Sequence, residues 1–174
     1  MNLTGKKVRL RLMTNEDTDR IVFWRNQPRV WQNFIYQKPF TKEGHEEWIR
    51  TMVDTGKVVQ FIMEELPDGR PVGSVYLRDI NADSRKAEYG IFIGEEDALG
   101  KGYGTEAARL AVGYGFEKLC LHKIFLRVFA DNRAAVRSYE KAGFVQEGYF
   151  KDEEFIRQCY RDLIFMAVRN PKEI

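Results

Sequence analysis

The chain has 174 residues, 44% of them hydrophobic and 31% charged, which suits one globular domain with a real core and excludes disorder. Its formal net charge of +2 is spread among interleaved basic and acidic residues, so there is no electrostatic case for a nucleic-acid partner. Two distant cysteines, Cys120 and Cys159, and two isolated histidines, His45 and His122, exclude a disulfide framework and point to no metal site.

Val8 to Leu12 alternates and predicts a first strand. Thr14 or Asn15 caps a helix through Ile21, Phe23 and Trp24, with Glu16 and Asp17 in its acidic first turn, and Pro28 interrupts it. The aromatic stretch 30–36 is ambiguous, and a second helix is expected after Thr41, carrying His45, Trp48, Ile49 and Met52. Strands at 58–64 and 72–80 are joined by a turn at Pro67-Asp68-Gly69-Arg70, and another strand spans 86–93. Past a glycine-rich loop, Ala107, Leu110, Ala111 and Tyr114 mark an amphipathic helix that ends near Lys118. A strand at 124–130, a helix at 133–142 with Gly143 suited to a left-handed cap, and strands near 144–150 and 160–168 complete the order. The sum is one α/β domain over residues 1–174, a mixed sheet with helices on its faces. No run is long enough to cross a bilayer, and Lys6 and Lys7 lead into a strand instead of a signal segment. The expectation is therefore a cytoplasmic protein with no membrane partner.

Leu99-Gly100-Lys101-Gly102-Tyr103-Gly104-Thr105 stands between a strand and a helix. Glycines let backbone N–H groups approach a ligand closely, and the helix start adds unpaired donors and a positive dipole end, a setting for pyrophosphate. A plain flexible loop before a helix looks similar. Lys101 is followed by Gly102 and not by Ser or Thr, which excludes a P-loop, and the strict alternation of Gly100, Gly102 and Gly104 excludes a dinucleotide fingerprint.

A second stretch, Asp131-Asn132-Arg133-Ala134-Ala135-Val136-Arg137-Ser138-Tyr139-Glu140-Lys141-Ala142-Gly143-Phe144, follows the strand 123–129. With the glycine loop it resembles the GNAT superfamily of acyl-coenzyme A-dependent N-acetyltransferases. The loop is similar to that family's pyrophosphate motif, (Arg/Gln)-x-x-Gly-x-Gly/Ala, and the second stretch to its Asn-x-x-Ala-x-x-x-Tyr-x-Lys-x-Gly-Phe signature. Leu99 stands where the family usually has Arg or Gln.

The resemblance implies a mostly antiparallel central sheet with helices on both faces, acetyl-CoA as co-substrate, and direct transfer to an amine in a ternary complex. It implies that Gly100, Gly102, Tyr103, Gly104 and Thr105 surround the pyrophosphate and that Ile91 and Ile93 flank the pantetheine arm, where a backbone N–H stabilises the thioester oxygen. Tyr139 matches the family's general acid; a core tyrosine is the alternative. Asn132 matches a residue near the pantetheine and also reads as a helix cap, and Arg137 can meet a nucleotide phosphate or be a solvated charge. Glu88 is the candidate base, through a water, or else a strand carboxylate paired with Lys86 or Arg85. Cys120 reads as a buried small residue, so a cysteine acyl intermediate is not expected.

The N-terminal half resembles two branches of the family, one acetylating protein N-termini or polyamines, the other nucleotide-linked amino sugars. Trp24-Arg25-Asn26 and the His45-x-x-Trp48 spacing lean to the amino-sugar branch, with Arg25, Tyr36, His45 and Trp48 as acceptor contacts. Trp24 and Trp48 at helical spacing are more often core than binding platform. The partner is then a small-molecule or peptide amine, with a homodimer left open. A coenzyme A sensor that transfers nothing is the remaining alternative.

Overall fold

Alternating side chains give each strand two distinct faces, and helices pack against both faces of the sheet. A computed structural model describes residues 3–173. Seven strands, β1 (Val8–Leu12), β2 (Val59–Glu65), β3 (Pro71–Asn81), β4 (Lys86–Ile93), β5 (Lys123–Phe129), β6 (Val145–Ile156) and β7 (Cys159–Arg169), form one sheet. They lie in the order β1-β2-β3-β4-β5-β7-β6, and every neighbouring pair is antiparallel except β4 and β5.

Phe61, Val75, Leu77, Ala87, Tyr89, Ile124 and Leu126 point to one face and pack with Ala107, Ala108 and Ala111 of α4 (Tyr103–Glu117). Ala135, Val136 and Tyr139 of α5 (Arg133–Ala142) join that layer. The opposite face carries Ile62 and Phe92 beneath α1 (Thr18–Arg25), α2 (Pro28–Trp31) and α3 (Lys42–Trp48), with Ile21, Trp24 and Val30 filling the second core.

Local chemistry sets most element ends. Asn132 caps α5 by accepting from the Ala135 N–H at 3.2 Å, and Gly143 closes it at φ +102°. The Thr41 hydroxyl accepts from Gly44 N at 3.0 Å to start α3.

Several sequence expectations change. The first helix opens as a 3-10 turn at Asn15–Asp17, where the Asp17 carboxylate accepts the Thr14 N–H at 2.9 Å. Pro28 begins α2 as well as ending α1, since a first-position proline lacks only an N–H that a helix start leaves unpaired. The last two strands form a longer hairpin, turned by Arg157 and Gln158 at positive φ. Cys120 is exposed at φ +51°, a correction to its expected burial.

Candidate active site

Parallel pairing between β4 and β5 runs only from Lys86–Lys123 to Glu88–Phe125. Beyond that point β4 stays bonded to β3 and β5 to β7, while the two strands part from one another. The result is a wedge-shaped gap whose β4 edge runs from Tyr89 to Ile93.

The α4 start stands on one side of this gap. Gly102 takes φ +83° as its N-cap, and the first intrahelical bond goes from Glu106 N to Gly102 O at 3.3 Å. The N–H groups of Tyr103, Gly104 and Thr105 are thus unused by the helix. A Cβ built on Gly104 would lie 3.7 Å from Ile91 Cδ1 and Ser138 Oγ, and 4.0 Å from Ile93 Cδ1. Gly104 therefore faces the wall formed by Ile91, Ile93 and α5. Gly100 takes φ +74° with open space around it. This set fits a diphosphate: unpaired donors, a helix dipole and no side chain in the way.

The cradle is anchored from three directions. Thr105 Oγ1 and Ser138 Oγ are 2.8 Å apart, joining α4 to α5. The Glu106 carboxylate accepts the N–H groups of Lys6, Lys7 and Val8 at 3.0, 2.7 and 2.8 Å. Burial alone would raise its pKa, but those three donors together hold it below the usual range. Lys7 Nζ donates to the Lys101 carbonyl at 2.8 Å, and a hollow of about 280 Å³ opens between Lys6, Lys7, Lys101 and Tyr103. The Tyr103 hydroxyl turns away to Glu65 Oε2 at 3.1 Å, so Tyr103 offers the cradle its backbone and not its ring. Arg137 is exposed on α5, and Leu99, 51% exposed, presents no polar atom to the loop.

Tyr139 is half-buried where β4 leaves β5, edge-on to Tyr89 and to Phe144 with ring centroids 6.0 Å away in each case. Burial drives its phenol well above the ordinary tyrosine range, and the nearby Tyr76 adds to this. The phenol is therefore fully protonated at neutral pH. The Tyr89 hydroxyl beside it is buried and has no hydrogen-bond partner among the described residues.

On the sheet's other face, Tyr76 lies over Gly90; a Cβ there would be 2.2 Å from Tyr76 Cζ. Arg78 of β3 stands directly opposite Glu88 in register and donates to Glu88 Oε2 from Nε at 3.0 Å and Nη2 at 2.8 Å. Arg127 of β5 reaches across the parting strands, donating from Nε to Glu88 Oε1 at 3.0 Å and from Nη2 to Oε2 at 3.3 Å. Both Glu88 oxygens are thus engaged by guanidinium groups, and neither Lys86 nor Arg85 is the partner. A free carboxylate base is not what the geometry presents.

Of the four expected acceptor contacts, Arg25 is the one that comes close to Tyr76 and Arg78. Its guanidinium carbon is 3.3 Å from the Phe34 ring centroid, 5.0 Å from Phe40 and 5.9 Å from Phe92. Burial pulls its pKa down to about 10. His45 is corrected to a core residue: it is 0% exposed, with Nδ1 3.0 Å from Thr18 Oγ1 and burial lowering its pKa to about 4. Trp48 packs into the second core, and its indole donates to Gln60 Oε1 at 3.2 Å. Tyr36 projects outward, 65% exposed. Asn132, besides capping α5, donates to Asn33 Oδ1 at 3.2 Å beside a cavity of about 490 Å³ that Gln37, Arg157 and Arg161 also line.

Arg78, Arg127, Tyr76 and Ser138 carry no motif and escape a reading of the sequence. Only the strand register brings the first three together. Among the described residues no group of three or more His, Cys, Asp or Glu side chains is placed to hold a metal ion, and no helix is long and apolar enough to cross a membrane.

Comparison with known proteins sets this geometry in context. Residues 7–145 match the profile of the Acetyltransferase (GNAT) domain family. Spermidine N(1)-acetyltransferase of Escherichia coli K12 is 44% identical over 101 residues, covering 58% of this chain and 54% of that protein, so the match spans about half its length. The Vibrio cholerae spermidine N-acetyltransferase, solved with CoA and spermine, superposes with a TM-score of 0.87 at 30% identity, covering 95% of this chain and 96% of that one. A dodecameric structure of the Vibrio enzyme gives 0.82 at 29% identity, with 98% of each chain covered.

Proposed function

We propose, since the chain belongs to the GNAT acetyltransferase family and is an acetyl-CoA-dependent N-acetyltransferase, that it moves the acetyl group directly to a primary amine within a ternary complex. The observation that carries this is the gap beyond Glu88–Phe125, with an anion cradle on one side and a protonated tyrosine at its apex.

When bound, acetyl-CoA supplies the acetyl group as an activated thioester. The Tyr103, Gly104 and Thr105 N–H groups hold its pyrophosphate, with Lys7, Lys101 and Arg137 at hand for the remaining phosphate charge. Ile91 and Ile93 flank the pantetheine arm, and an unpaired β4 N–H in the gap stabilises the carbonyl oxygen as it gains charge. Tyr139 gives its proton to the departing thiolate. Glu88 positions Arg78 and Arg127, and water in the gap takes the proton of the incoming amine.

The spermidine acetyltransferases among the relatives support a polyamine acceptor, which the sequence reading held as its alternative, better than a nucleotide-linked amino sugar. One observation favours a second reading, an amine that carries negative charge: the arginines gathered on the acceptor face. The dodecameric relative supports self-association, and the outer strand β6 with its hairpin exposes Val145, Tyr149, Phe150 and Phe155 for it. Thiol release from acetyl-CoA, measured against spermidine, free-N-terminal peptides and amino sugars, tests the activity. Turnover with at least one amine is expected; tight CoA binding without turnover on any would make the chain a coenzyme sensor.

A further inference from the structure

The acceptor face holds more positive charge than it neutralises. Arg78 and Arg127 share the single carboxylate of Glu88, each using Nε and Nη2. Arg78 Nε has Asp79 3.7 Å away as well, but that carboxylate is 62% exposed and screened. The Nη1 group of each arginine makes no hydrogen bond among the described residues. Arg25 lies against the same patch, and among the described residues its guanidinium makes no hydrogen bond or ion pair, only ring contacts with Phe34, Phe40 and Phe92. Tyr76 lies within the field of all four charged groups, Arg78, Arg25, Glu88 and Arg127. Glu95, just past the end of β4, accepts the Trp24 indole at 2.8 Å.

A half-buried guanidinium that is stacked on rings and has no carboxylate partner is stabilised by an anion at its edge. Aromatic stacking fixes the plane of such a group and leaves its edge free to fork onto oxyanions. We infer that Arg25, with the spare Nη1 groups of Arg78 and Arg127, forms an oxyanion subsite on the acceptor face, and that the amine acetylated here also carries a phosphate group. Three guanidinium groups, from α1, β3 and β5, supply donors enough for the several oxygens of a phosphoryl group, more than the two of a carboxylate need. The subsite is on the face opposite the coenzyme cradle, so the gap places the acceptor's amine, and not its phosphate, toward the thioester. A polyamine, cationic along its length, meets repulsion at this patch. The inference rests on the acetyltransferase reading and refines the acceptor within it.

Two measurements test it. In the first, inorganic pyrophosphate is titrated calorimetrically into protein saturated with CoA, so that the α4 cradle is filled. Binding by the wild type that weakens at least tenfold in R25Q is expected. In the second, kcat/KM is compared for glucosamine 6-phosphate, glucosamine and spermidine. The phosphorylated sugar should exceed glucosamine at least tenfold, through KM, and that ratio should collapse toward one in both R25Q and R127Q while CoA affinity holds. Melting temperatures of R25Q and R127Q, compared with the wild type, separate loss of the subsite from loss of the fold. A wild type that binds no pyrophosphate, or prefers spermidine with R25Q making no difference, overturns the subsite and leaves the acetyltransferase reading standing. If no amine is turned over, the titration still decides the subsite, and the absent turnover counts against the enzymatic reading alone.

Discussion

Tyr139 and His45 both have pKa values displaced by burial, with opposite meanings for function. The raised Tyr139 phenol keeps its proton through the neutral range, as the proposed role of general acid requires. Tyr139→Phe keeps the ring contacts with Tyr89 and Phe144 and removes only that proton. It should lower kcat about a hundredfold, within the usual range for a general acid, and leave CoA affinity unchanged. Equal turnover by the variant would take Tyr139 out of the chemistry. His45 is held neutral, its pKa lowered from 6.5 to about 4. The unfolded chain binds a proton there that the folded one refuses, so its stabilising effect is full above pH 6.5 and is lost as pH falls toward 4. The whole effect is about 3 kcal/mol at 1.36 kcal/mol per unit. The carboxylates with lowered values, such as Asp17 and Glu106, act below their ordinary 3.8 and 4.5, which leaves the window from 4.5 to 6.5 to His45. Urea midpoints at pH 7 and pH 5 should therefore differ in the wild type, and His45→Leu should flatten that slope.

At the scale of elements, the α4 start offers the sharpest contrast between two glycines. Gly102 has φ +83°, so Gly102→Ala strains the backbone by about 1–2 kcal/mol and tilts the donors that follow. Gly104 has no such constraint, and an added Cβ meets only ordinary contacts at 3.7 Å and beyond. Gly104→Ala should keep near-native CoA affinity in a titration, whereas Gly102→Ala should lose both affinity and melting temperature. Helix α5 is found at 133–142, as its local punctuation indicates, because Asn132 and Gly143 act on the backbone within a few residues of themselves. Strands and the glycine loop are equally local signals. The acceptor face is different in kind. The spacing of His45 and Trp48 marks one stripe of a helix, but a stripe does not say whether it meets ligand or core, and here the core takes it. Glu88 has Lys86 and Arg85 as chain neighbours, yet its partners come from β3 and β5, since pairing register and not chain proximity decides who faces whom.

For the molecule as a whole, the parting of β4 from β5 sets mechanical behaviour as well as chemistry. The sheet is two blades, β1-β2-β3-β4 and β5-β7-β6, stitched by three residue pairs and by the Glu88–Arg127 bond just beyond them. Helices α4 and α5, latched by Thr105 and Ser138, are the splint laid across that seam. A coenzyme seated in the gap reinforces the seam from within and should add about 2.7 kcal/mol at a hundredfold excess over its dissociation constant. Amide hydrogen exchange should register this unevenly, slowing at the seam residues 86–93 and 123–129 while the outer β6–β7 hairpin changes little. The weakness that opens the gap between β4 and β5 should also make this seam the line along which the fold first yields when the gap is empty.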